Sequence, residues 1–207
     1  MTDSNGTHNM KDGSRHWEIT EDETVYRGFY KINKIDFNHA LFKGGNSGPV
    51  DREQFIRGNV VGVLVHDPAL DKVALIEQFR IGARHHKSEP WLIEIIAGMV
   101  EAGEKPIEVA TREAYEEAGL TLSNVSQFAH YLASPGASTE EVFLFYAHAD
   151  LSGASGVFGL EEEGEDILLH VVDANEAIQK MESGEICNAL SIIALQWFKI
   201  DRLQKTQ

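Results

Sequence analysis

The sequence predicts an α/β or α+β sandwich in which hairpins outnumber parallel crossovers. Three observations lead there. The chain has 207 residues, 43% hydrophobic and 25% charged, enough for one well-buried domain and an extra segment. Short apolar runs bounded by Gly, Pro, Asn and Asp recur through it and read as strands. Three segments instead carry helical spacing, one central and two at the end of the chain.

In chain order, residues 1–16 are polar, lack the apolar middle of a secretory leader and read as a disordered tail. Residues 24–42 alternate through Ile35, Phe37, His39 and Leu41 and predict a strand pair; GGNSGP at 44–49 is a loop. Residues 17–57 thus form an expected N-terminal β lobe, and 58–207 the main domain. VVGVLVHD and KVALIEQFR flank Pro68-Ala69-Leu70-Asp71 and predict a hairpin. WLIEIIAG is one further strand, followed by a loop between Gly98 and Gly103. Pro106 suits a first helical turn and Gly119 the residue past the end, which predicts a helix from Pro106 to Ala118. Strands resume at SQFAHYLAS, VFLFYAHAD and DILLHVVD, and helices at ANEAIQKMESG and NALSIIALQWFKIDRL. There is no internal repeat.

Formal net charge is −15, and no basic stripe offsets it, which argues against nucleic-acid binding. A phosphate substrate would need bound cations and locally placed arginines. The longest apolar runs are too short to span a bilayer, so no membrane partner is expected. The one cysteine, Cys187, excludes an internal disulfide framework, fits a reducing cytoplasm and reads as a small buried residue.

On the central helix, Ile107, Ala110, Ala114 and Ala118 share a face expected to pack on the sheet. Glu113, Glu116 and Glu117 lie on a different face at i, i+3 and i+4. Like charges at that spacing cost a few tenths of a kcal/mol per pair, and acids in the last turn oppose the helix dipole; Arg112 offsets part of this through Glu116. Taken alone, such a face is solvated charge. Carboxylates one turn apart also suit a hard divalent cation, converging on one point in front of the helix. With an all-oxygen set and no Cys/His cluster, that cation would be Mg²⁺ or Mn²⁺. His85 and His86 read as a surface loop.

Residues 98–120, GMVEAGEKPIEVATREAYEEAGL, run as Gly, five residues, Glu, seven residues, Arg-Glu, apolar, any, Glu-Glu, any, Gly, apolar. The pattern resembles the signature box of the Nudix hydrolases, with every fixed letter present and only a small Ala114 in the first apolar slot. Chance occurrence is on the order of one in a million. The resemblance implies an α/β/α sandwich around a mixed sheet, and hydrolysis of a diphosphate joining a nucleoside to another group. It implies Glu113 and Glu117 as principal metal ligands, Glu116 nearby, the Ala97 carbonyl completing the site, and two or three Mg²⁺ ions, or else Mn²⁺. Glu104 and Arg112 would orient the loop and helix. Pro135, sixteen residues past Gly119, is similar to the ADP-ribose pyrophosphatase branch, as are ETVYRGFY, VALIEQFRIGA, GLEEEGEDI and NALSIIALQW. That branch implies hydrolysis of ADP-ribose to AMP and ribose 5-phosphate. The alternatives are another nucleotide sugar such as GDP-mannose, and a non-catalytic ADP-ribose-binding module.

LEEEGEDI gathers Glu161, Glu162, Glu163, Glu165 and Asp166, which alone would be solvated loop charge. By similarity Glu163 is the candidate general base and Glu165 an added metal ligand; acids two apart in an extended loop point the same way. Glu161 and Glu162 remain alternatives for the base. The resemblance further implies substrate contacts from Arg52, Arg57 and Arg80, with Phe29 and Tyr30 at the nucleobase. Glu53, Met99, Ser134, Pro135, Gly136 and Glu140 are carried over as additional contacts, Glu141 being an alternative to Glu140. Without it, Phe29 reads as a core aromatic and Arg52 as a solvated arginine. Related bacterial enzymes exchange N-terminal strands across a dimer, which implies a homodimer with shared active sites. Phe29 and Arg52 would then come from one subunit, and Ser134, Pro135 and Gly136 from the other.

Overall fold

The structure, a computed structural model, describes residues 15–87 and 89–205; residues 1–14 of the expected tail lie outside them. The described chain divides into two compact units, residues 15–58 with Leu132–Glu140, and Asn59–Tyr131 with residues 141–205.

In the first unit, β1 (Trp17–Arg27), β2 (Lys31–His39) and β3 (Val50–Ile56) form an antiparallel sheet in that order. The expected strand pair is β1 and β2. β3 was not predicted, because Asp51, Arg52, Glu53 and Gln54 in succession hide any alternation. Segment Leu132–Glu140 docks alongside: Phe55 N–H donates to the Ala137 carbonyl (2.7 Å), and Thr139 N–H to that of Phe55 (3.1 Å).

The second unit holds β4 (Val60–Asp67), β5 (Lys72–Phe79), β6 (Trp91–Glu94), β7 (Ile96–Met99), α1 (Pro106–Ala118), β8 (Ser123–Leu132, whose last residue falls in the first unit) and β9 (Glu141–His148). β10 (Gly156–Phe158), β11 (Ile167–Asp173), α2 (Ala174–Ser183) and α3 (Ala189–Lys205) complete it. Sheet order is β10-β11-β5-β4-β9-β8, with β4 and β9 parallel and β4 antiparallel to β5. In β4, Val61, Val63 and Val65 face a core closed by Val109, Ala110, Ala114 and Ala118 of α1. Leu64 faces the opposite core, closed by Ala177 and Ile178 of α2 and Ala194, Leu195 and Phe198 of α3. A strand covered on both sides reads as a continuous apolar run, as VVGVLV does. The result is the expected α/β/α sandwich around a mixed sheet.

WLIEIIAG is two strands rather than one. β4 and β5 pair only at Val65 to Asp67 with Lys72 to Ala74. Beyond that β6 pairs with β5 and β7 with β4, the chain crossing between them at Ile95.

The α1 reading also needs correction. Ile107 is 43% exposed, whereas Val109, Ala110, Ala114, Glu117 and Ala118 are buried. The buried stripe is rotated toward the acids, so Glu117 lies within it. Gly119 ends the helix in the left-handed region (φ 65°), with its N–H donating to the Tyr115 carbonyl at 2.9 Å.

At the β4–β5 turn, Asp71 (φ 52°) accepts from the Ala174 N–H through its carbonyl (2.9 Å) and pairs through its carboxylate with Arg202 of α3. His66 Nε2 donates to the same carboxylate (3.3 Å), which leaves Nδ1 to accept the Tyr146 hydroxyl (2.7 Å). Cys187 is a half-buried free thiol rather than a fully buried one. Among the described residues no helix is long and apolar enough to cross a membrane.

Candidate active site

Glu113 and Glu117 sit where α1 crosses β7. Gly98 makes room for the first: a Cβ there would lie 1.8 Å from Glu113 Oε1. Glu117, 3% exposed, accepts the Ala97 N–H at 3.0 Å. Burial pushes Glu117 up to about 8, against that hydrogen bond, and the neighbouring Glu113 charge adds to the rise. Burial also takes Glu113 to about 7, opposed by Arg112 and reinforced by Glu116 and Glu165. A face of solvated charge would have neither feature.

The carboxylates do not converge on one point as expected: among the described residues no three Asp, Glu, His or Cys side chains form a ready metal cage. Arg112 draws two of them aside, its Nη1 lying 2.9 Å from Glu113 Oε1 and 2.8 Å from Glu116 Oε2. Its Nε lies 3.5 Å from Glu104 Oε1, while Glu104 Oε2 accepts the Glu101 N–H (2.8 Å), so the loop before α1 is tied to the helix.

The acidic segment is not extended. Glu161–Glu163 form a single 3₁₀ turn with exposed side chains, closed by Gly164 in the left-handed region (φ 71°). Glu163 ends that turn and Glu165 lies past left-handed Gly164, so the two do not share an extended stretch and the same-direction argument for them does not hold. The segment is nonetheless fixed to α1: Gly159 N–H donates to the Glu116 carbonyl (3.2 Å), and Glu165 Oε2 accepts the Leu160 N–H (3.0 Å). Glu165 is close enough for its charge to raise both Glu113 and Glu117.

Arg80, just past β5, donates through Nε and Nη2 to Glu94 Oε2, each at 2.8 Å. Its charge is felt at Glu117, where it favours the ionised form. Glu94 is 8% exposed. Sequence reading missed it, because a lone acid in an apolar strand carries no motif. Gln78, likewise buried and missed, has an Nε2 without a hydrogen-bond partner. Met99 ends β7, partly exposed.

The remaining expected contacts lie in the first unit. Phe29 is 86% exposed, not a core aromatic, and meets Tyr30 edge-on (4.8 Å between ring centres). The Arg57 guanidinium lies 5.4 Å from the Tyr30 ring centre and 2.9 Å from Glu140 Oε2, and its Nε is buried without a partner. Ser134, Pro135 and Gly136 form an exposed turn closed by Ala137 N–H on the Ser134 carbonyl (3.1 Å). Arg52 and Glu53 are exposed on β3, Arg52 donating to the Asp51 carbonyl at 2.6 Å.

Known proteins resemble this chain along most of its length. An ADP-ribose pyrophosphatase of Haemophilus influenzae is 45% identical over 92% of this chain and 89% of its own. That of Escherichia coli is 45% identical over 91% of this chain and 90% of its own. A GDP-mannose pyrophosphatase of Yersinia enterocolitica is 31% identical over 91% and 97%. The crystal structure of an ADP compounds hydrolase shares the fold at a TM-score of 0.68 and 20% identity, over 92% of this chain and 95% of that one. A NUDIX domain is matched across residues 56–207, the stretch containing Gly98, α1 and the acidic turn, and the chain therefore belongs to the Nudix family.

Proposed function

We propose that the protein hydrolyses the diphosphate of ADP-ribose, releasing AMP and ribose 5-phosphate. It is a hydrolase acting on pyrophosphate bonds. The observation that carries the substrate is the 45% identity, over nine-tenths of each chain, to ADP-ribose pyrophosphatases. The relative that acts on GDP-mannose stands at 31%.

Nudix hydrolases are generally dependent on divalent metal. The residues present fit such a group: Glu113, seated in the space at Gly98, and Glu117, held by the Ala97 N–H, offer buried oxygens that are hard to ionise without a cation. Glu113, Glu117, Glu116, Glu165 and the Ala97 carbonyl would hold Mg²⁺, two or three ions per site, or Mn²⁺ in its place. Bound divalent cations neutralise a diphosphate and make water more acidic. Glu163 would accept the proton of the attacking water. Arg80 would clamp a phosphate through its planar guanidinium. Phe29, Tyr30, Arg52, Glu53, Arg57, Met99, Ser134, Pro135, Gly136 and Glu140 would bind the rest of the substrate, rings by stacking and Glu140 by accepting ribose hydroxyls. We infer a cytoplasmic homodimer with shared sites; exposed Val25 and Tyr26 near the end of β1 and exposed Phe29 in the bend after it support an apolar partner surface.

The test is a Mg²⁺-dependent assay of ADP-ribose, ADP-glucose, GDP-mannose and NADH, with released nucleotides separated by chromatography. AMP from ADP-ribose, at the highest kcat/KM of the four, is expected. Preference for GDP-mannose would reassign the substrate, and tight ADP-ribose binding without AMP release would make the protein a binding module.

A further inference from the structure

We propose that Glu94 is a positioning residue that presents Arg80 to a phosphate of the substrate; this rests on the ADP-ribose reading above. Glu94 Oε2 alone receives both Nε and Nη2 of Arg80 at 2.8 Å, which fixes the plane of the guanidinium along one edge and leaves Nη1 outside the pair. The two ends differ in exposure: the Glu94 side chain is 10% exposed, the Arg80 side chain 41%. A buried acid therefore anchors an arginine that still reaches solvent. A pair serving only to satisfy a buried charge would need no open face.

The sheet explains the placement. Glu94 stands opposite Ile76 in the β5–β6 ladder, and Ile76 belongs to the core beneath α1. The two-residue period of a strand brings Arg80 toward the same side. Ala97, three residues after Glu94, holds Glu117 by its N–H, and the Arg80 charge is felt at Glu117. One stretch of chain thus fixes both a phosphate-gripping cation and a carboxylate of the site. An arginine not held in advance would have to be ordered when substrate binds, which weakens binding about threefold to tenfold.

The experiment compares Glu94→Gln, which keeps size and removes charge, with Arg80→Lys. ADP-ribose binding is measured by calorimetry on metal-free protein in EDTA, and kinetics are measured in Mg²⁺. Glu94→Gln is expected to weaken metal-free binding and raise KM by about tenfold, with kcat within about threefold of wild type. Arg80→Lys should do the same, and the double variant should be no weaker than the weaker single. If Glu94→Gln does not fold, Glu94→Asp, which withdraws the charge by one methylene, should move both readouts in the same direction by about threefold. Wild-type affinity and KM in a folded Glu94 variant, or additive losses in the double variant, overturn the proposal while leaving ADP-ribose hydrolysis by the wild type intact. A wild type that releases no AMP overturns the functional reading, and this proposal with it.

Discussion

Glu117 accepts the Ala97 N–H in exchange for near-complete burial beside another acid, and both side chains hold their protons well above the usual carboxylate range. The sign of the consequence follows from linkage. A carboxyl whose folded pKa is raised binds protons more tightly folded than unfolded, so its stabilising effect is present below the unfolded value of 4.5 and lost as pH rises through about 7 and about 8. In EDTA, the difference in Tm between wild type and Glu117→Gln should therefore grow in favour of the variant from pH 5 to 9. Comparing the two cancels His66 and Asp71, which titrate equally in both. A pH-independent difference would refute the burial argument. In Mg²⁺ the same variant should lose AMP release by on the order of 100-fold or more. Glu113, Glu116 and Glu117 were legible because their spacing is a pattern. Glu94 was not, because its meaning depends on a break at Ile95 and on register with Ile76, and neither is written in WLIE.

At the level of elements, the period of α1 could be read, but its rotation was chosen by the sheet. A wheel drawn on Ile107 ignores how closely Ala110 and Ala114 let the helix approach, and that approach takes Glu117 inward. Strands with apolar runs were readable; β3, polar through its centre, and β10, three residues long, were not. Gly119 illustrates a position whose sequence signal and structural need agree. It takes φ 65°, and a Cβ there would meet Phe158 at 2.7 Å. Gly119→Ala should cost about 1 to 2 kcal/mol from the left-handed backbone alone, lowering Tm by about 2–8 °C. Thermal unfolding monitored by circular dichroism reads this directly, and an unchanged Tm would show that the cap contributes nothing.

For the molecule as a whole, a charge of −15 makes association depend on apolar contact rather than on complementary fields. Light scattering after size exclusion should give about twice the 23.0 kDa of one chain, and a monomer at working concentration would remove the dimer. Least legible at this scale was the grouping of Leu132–Glu140 with the N-terminal strands, which rests on a parallel bridge between Phe55 and Ser138 that no local pattern announces. Four residues at the tip of a hairpin, Pro68 to Asp71, look by contrast like ordinary ground for an insertion. They are not, since Asp71 is where the start of α2, the guanidinium of α3 and the His66 ring all fasten. An extra residue threaded through that corner would break all three fastenings at once, so peptide grafts and fluorophore tags belong elsewhere.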